Sequence, residues 1–197
     1  MINKQKLPGL IEFINISKLD GDDIYTWVRA GKPAASCKLD MLAVKALVKT
    51  ADIFYQITRR DRKICFIRQN KILYMIAAGE EVQFQVLEAI LEQIINSFLE
   101  FYGDIIDQYA GDFSDTFTGF DEFINDTFLN IGDYIKYVKA QCRACKSIIN
   151  VCVKKSMIEN ATDYPVSLVY IHEGHGLLIY IDAGYRVRAA EIVNTSA

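Results

Sequence analysis

Proline is scarce (three residues), histidine scarcer (two), and glycine modest at eleven in a chain of 197 residues. Little material is left for long flexible linkers, and two histidines leave little for histidine-based catalysis. No stretch approaches the ~18 consecutive apolar residues of a membrane-spanning helix. Neither a Gly-x-x-x-x-Gly-Lys nor a Gly-x-Gly-x-x-Gly phosphate loop occurs, and there is no Gly-x-Ser-x-Gly nucleophile turn. These absences point away from an enzyme and away from a resident cofactor. Excess positive charge is also missing. The net charge is −3, so the chain as a whole would not hold nucleic acid. Met1 to Gly9 carries lysines but no apolar stretch of signal length behind them. The five cysteines are then expected to be reduced thiols in a cytoplasmic protein. Any visit to a membrane would be peripheral, through a partner.

What is abundant is core material. Hydrophobic residues make up 51%, with eleven Tyr and eleven Phe, enough to bury a real core. Charge is arranged in blocks. Gly103 to Asp133 holds eight acids and no Lys or Arg, whereas Tyr134 to Ile158 holds six bases and no acid. Such blocks are usually solvated faces, or two faces that meet.

Apolar periodicity divides the chain into elements. Leu10 to Ser17 and Ile24 to Arg29 read as strands around the turn signal Asp20-Gly21-Asp22. A helix is predicted over Leu39 to Thr50. Three strands come next, at Ile53 to Thr58, Ile64 to Ile67 and Ile72 to Ile76. The last two are apolar on both faces and so need cover above and below. A second helix over Glu80 to Tyr102 carries the stripe Val86, Leu87, Ile90, Leu91, Ile94, Phe98 and Phe101, with Gly103 as its stop. After an acidic loop, a short helix is expected near Phe120 to Asn130. From Tyr134 to Met157 the residues Ile135, Val138, Cys142, Cys145, Ile149 and Cys152 recur at spacings of three and four, which predicts a third long helix with a narrow seam. Strands at Val166 to His172, Leu177 to Asp182 and Arg186 to Val193 end the chain as a meander. The expected domains are therefore 1–133, and 134–197 as an α-β-β-β extension or small second module.

The segment Lys71-Ile-Leu-Tyr-Met-Ile-Ala-Ala-Gly79 running into Val86-Leu-Glu-Ala-Ile-Leu-Glu-Gln-Ile-Ile-Asn-Ser-Phe-Leu-Glu-Phe-Tyr-Gly103, within a β-β-α-β-β-β-α order, resembles a longin domain. Phe113 to Asp133, with Phe117, Phe120, Phe123 and Phe128, is similar to the stretch after that helix in the small chains of clathrin adaptor complexes and in the N-terminal domain of the signal recognition particle receptor alpha subunit. The resemblance covers about Leu10 to Asp133. It implies an α+β fold: a five-stranded, mainly antiparallel sheet with helices on both faces. It also implies a non-catalytic adaptor of vesicle trafficking and protein transport. Partners of such domains are small GTPases, other longin or roadblock-class domains, SNARE helices and coat subunits. In that order Ile53 to Thr58 is an edge strand, and the groove beside it, with Leu42, Lys45, Lys49, Ile53 and Tyr55, is the candidate partner site.

Other clusters compete for attention. Arg59, Arg60, Arg62 and Lys63 sit at a hairpin tip and could meet an acidic partner or anionic headgroups. Cys142 and Cys145, with His172 and His175, form a loose zinc set. On the helical reading, however, the cysteines are small buried thiols in the middle of a seam, so no metal site is assigned. His172-Glu-Gly-His175 lacks the four-residue helical spacing of a metalloprotease and reads as a hairpin turn. A metal- or small-ligand-binding sensor built on the C-terminal hairpins stays open as an alternative. So do a purely structural subunit of a complex and a homodimer formed through the cysteine seam or a sheet edge.

Overall fold

The computed structural model describes residues 4–19, 23–31, 44, 47–59, 61–106 and 116–193. The chain divides into two compact units, one of residues 2–131 and one of residues 132–197 with Met1.

The first unit is built on an antiparallel sheet in the order β2-β1-β5-β4-β3. Its strands are β1 (Ile11–Lys18), β2 (Asp23–Val28), β3 (Tyr55–Arg59), β4 (Arg62–Gln69) and β5 (Ile72–Gly79). Strands β1 and β5 are buried along almost their whole length. For β5 this is the doubly covered condition that its unbroken apolar run demands; β1 buries Glu12, Asn15 and Ser17 among its apolar residues. On one face Phe13, Ile64, Phe66, Leu73, Met75 and Ala77 cluster with Val44, and Val48 packs at the margin. Val48 N–H donates to the Val44 carbonyl at 3.1 Å, a helical i to i−4 bond. Most of the helix expected over Leu39 to Thr50, including Leu42 and Lys45, lies outside the described residues.

The other face is covered by α1 (Phe84–Ile106), which packs on β4 and β5, and by α2 (Phe120–Leu129). Helix α1 starts later than expected and runs through Gly103. Ile106 is buried and Tyr102 stacks into an aromatic cluster, so tertiary contacts hold a turn that glycine alone would weaken. Phe101, expected in the apolar stripe, is 56% exposed; Ala89 and Ile95 are buried instead. Phe98 lies at the centre of the cluster formed by Tyr25, Tyr74, Tyr102, Phe117 and Phe120. The Tyr25 hydroxyl donates to Asp121 in the first turn of α2. Burial, with Asp121 beside it, pushes the Tyr25 hydroxyl well above the ordinary tyrosine range. At the far edge Trp27 meets Phe128 edge-on at 5.3 Å. Among the described residues no helix is long and apolar enough to cross a membrane.

The second unit corrects the predicted third long helix. Tyr134 to Met157 is instead the hairpin β6 (Ile135–Gln141) and β7 (Ile148–Lys154), with the short α3 (Lys155–Glu159) after it. Two periods compete in this segment. The alternation Val138-Ala140-Cys142 and Ile149-Val151-Val153 puts one apolar face inward, and all six residues are buried. β-Branched residues fill β7 and favour the pleated state. A helix would have hidden only a narrow seam, and it would have left Val151 and Val153 outside. The six bases therefore form no helical stripe. Lys136 lies over the Tyr185 ring at 4.3 Å, Lys139 is exposed on β6, and Arg143 and Lys146 are exposed in the turn. The meander β8 (Val166–His172), β9 (His175–Ile181) and β10 (Val187–Val193) is as expected in kind. Its inner face, with Leu168, Leu177, Ile179, Ile181 and Ala190, packs against the hairpin in one shared core.

Candidate functional site

The hairpin correction changes the position of the cysteines. Cys142 and Cys145 are not mid-helix; they lie in the β6–β7 turn. Cys142 N–H donates to the Ser147 carbonyl at 2.9 Å, closing the loop, and Lys146 N–H returns to the Cys142 carbonyl at 2.9 Å. Lys146 takes the left-handed conformation (φ 64°), so the chain reverses over only a few residues. Cys142 is buried in the core, whereas Cys145 is exposed at the tip. The Cys145 thiol is pushed down to about 6, first by its hydrogen bonds with Ser147, with smaller help from Cys142 and His172. Its sulfur lies 2.7 Å from the Ser147 hydroxyl.

The β8–β9 turn supplies the histidines. His172 and His175 face each other across the last register pair of that ladder. Glu173 (φ 48°) and Gly174 (φ 78°) form the two-residue turn between them, both left-handed as the twist of a tight hairpin requires. The shared core holds the two turns side by side. The Cys142 sulfur is 3.7 Å from Nδ1 of His175. One donor atom each from Cys142, Cys145 and His175 lie within 4.8 Å of one another, as do donors of Cys145, His172 and Glu173. Nε2 of His172 is buried without a hydrogen-bond partner among the described residues, 3.7 Å from the Glu173 carboxylate. Two separate hairpins therefore bring Cys142, Cys145 and His175 together, with His172 beside Cys145; the sequence offered these four only as a loose zinc set.

Of the expected partner groove, Leu42 and Lys45 lie outside the described residues. Among the described residues, strand β3 is at the edge of its sheet, paired with β4 alone. Tyr55 serves the fold: its ring stacks on Phe66 at 5.3 Å, and its hydroxyl accepts the Thr50 N–H at 2.9 Å. Lys49 is exposed and Ile53 is 52% exposed, so these two offer surface beside the edge. Gln56 donates to Glu88 at 2.6 Å and ties β3 to α1.

The basic cluster is mostly engaged within the unit. Arg62 lies 3.3 Å from the carboxylate of Glu12, itself nearly buried. Lys63 donates to the Val82 carbonyl at 3.0 Å and lies over the Phe84 ring. Burial holds its ammonium below the usual lysine range. Arg59 is exposed, and Arg60 lies outside the described residues. As a patch for an acidic partner, the cluster thus loses Arg62 and Lys63.

The chain matches no model of a known protein family and no curated protein.

Proposed function

We propose that the first unit is a non-catalytic protein-binding module of the membrane-traffic type, taking a small GTPase or another longin-, roadblock- or coat-class subunit. The observation that carries this reading is the sheet order β2-β1-β5-β4-β3, with its inner strands buried on both faces and β3 left as an edge. An edge strand offers backbone donors and acceptors to a second sheet or an extended segment. Lys49 and Ile53 flank that edge and would be covered by a partner. In this role the protein would act in the cytoplasm and reach membranes peripherally, through its partner.

The test is affinity capture with the full chain, in GDP and in a non-hydrolysable GTP analogue, repeated with Ile53→Asp and Lys49→Glu. A GTPase held in one nucleotide state by the parent chain and lost with Ile53→Asp supports a regulatory module. A coat- or longin-type subunit retained regardless of nucleotide, and lost with the same change, supports an assembly component. Retention unaffected by either substitution removes the edge as the binding surface.

A further inference from the structure

We infer that Cys142, Cys145, His172 and His175 bind one zinc ion tetrahedrally, so that the metal fastens the β6–β7 turn to the β8–β9 turn. This is independent of the proposed partner binding, because every ligand lies in residues 132–197.

The first argument is distance. Zinc bonds of about 2.3 Å to sulfur and 2.0–2.1 Å to nitrogen, at a tetrahedral angle, place the two donor atoms about 3.6 Å apart. The Cys142 sulfur and His175 Nδ1 are 3.7 Å apart. An S–H···N hydrogen bond is the competing account of that pair alone. It does not account for the Cys145 sulfur lying within 4.8 Å of both atoms, with a donor of the His172 ring in turn within 4.8 Å of that sulfur.

The second argument is donor chemistry. Two thiolates and two imidazoles are the soft and borderline set that suits zinc over calcium or magnesium. A Cys-x-x-Cys and a His-x-x-His each bring paired ligands from one tight turn, and a core behind them fixes the two turns relative to each other. Glu173, beside Nε2 of His172, is placed to orient that ring as an outer partner.

The third argument is need. Residues 132–197 make a small unit of two sheets and a five-residue helix. Units of this size are marginal on hydrophobic burial alone and often carry a disulfide or a metal. Both cysteines of the pair are free thiols. With four protein ligands no coordination position is left open, so the role is structural, not catalytic.

The experiment is metal analysis of the full chain, made without a histidine tag, kept reduced and purified without chelator. Cobalt(II) is then titrated into the stripped protein. Expected are about one zinc ion per chain and a cobalt spectrum with tetrahedral ligand-field bands and thiolate charge transfer. Cys145→Ser, His175→Ala and His172→Ala should each weaken zinc binding at least about tenfold, taking the loss of an outer-sphere partner as the lower bound. Glu173→Gln should weaken it less than His172→Ala. Cys145 is exposed, so its substitution does not disturb the core, and the cobalt spectrum of the parent chain needs no variant at all. A reduced chain that takes up neither metal overturns the inference, as does a native Cys142–Cys145 disulfide in a metal-free preparation. Binding lost with Glu173→Gln but kept with His172→Ala overturns the fourth ligand.

Discussion

Replacing Phe98 by Ala tests the packing of the first unit most directly. Phe98 has no solvent exposure. Its ring centroid lies 5.2 Å from those of Tyr102 and Phe120, 5.4 Å from Phe117, and 6.4 Å from Tyr25 and Tyr74. Removing the ring forfeits its transfer free energy and leaves a cavity that five neighbouring rings cannot all collapse into. The cost is about 3–5 kcal/mol, at the upper end because edge-to-face pairs are lost as well. With a urea slope of roughly 2 kcal/mol per molar, the midpoint should fall by about 1.5–2.5 M at unchanged slope. Trp27, the sole tryptophan, lies in β2 against Phe128, so its fluorescence reports on this unit. Phe101→Ala is the matched control. That ring is 56% exposed, and its loss should cost under about 1 kcal/mol. A Phe98→Ala cost below about 1.5 kcal/mol, or equal costs at the two positions, would refute the placement of this cluster at the heart of the unit.

Further expectations concern charge and metal. Asp182 accepts the Gly184 and Arg186 N–H groups at 2.9 Å each and pairs with Arg188, and these interactions, the Arg186 bond foremost, hold its carboxyl below the usual carboxylate range. Its contribution is therefore full above the unfolded pKa and disappears as pH falls through the lower folded value. Asp182→Asn should destabilise at neutral pH, and the gap from the parent chain should close on acidification below about pH 4, read by denaturation at several pH values. Arg62→Met removes a cation 3.3 Å from the buried Glu12 carboxylate and should destabilise the unit; adding Glu12→Gln should restore part of the loss, measured as a double-mutant cycle. If zinc is bound at 100 times its dissociation constant, stripping it removes about 2.7 kcal/mol, a fall of roughly 10–20 °C for a unit of this size by calorimetry. An unchanged melting profile after verified metal removal would count against a structural role. Gly174→Val, forced into a left-handed turn at φ 78°, should cost about 1–2 kcal/mol and lower zinc affinity with it, since the turn sets the spacing of the two histidines.

The strands of the first unit were legible because each has to satisfy a local rule. Ile64–Ile67 and Ile72–Ile76 are too apolar on both faces for a solvated sheet, and they lie in β4 and β5, two inner strands paired with each other. Helix α2 lies nearly where its pattern predicts, with Asp121 and Glu122 in its first turn where the helix dipole favours acids. Less readable were the helix ends, because Gly103 is overruled by the burial of Ile106. The segment Tyr134 to Met157 misled because its apolar residues satisfy a period of three to four and a period of two at once. Only the presence of a second sheet to pack against decides between them.

The sequence by itself determined much of the core, the succession of strands along the first unit, and the terminal meander. Periodicity, turn residues and branched side chains act over a few neighbours and leave their mark on the chain. Where distant segments meet was decided only by the tertiary structure. Cys142 and Cys145 stand about thirty residues before His172 and His175, and no local pattern relates the pairs. Their convergence depends on two hairpins packing through Val138, Ala140, Val151, Leu177 and Ile179, so that their tips come side by side. The same distinction holds for Arg62 and Lys63, which a sequence shows only as charge. Whether a cation faces solvent or a buried carboxylate depends on a partner fifty residues away, and that is settled when the sheet assembles.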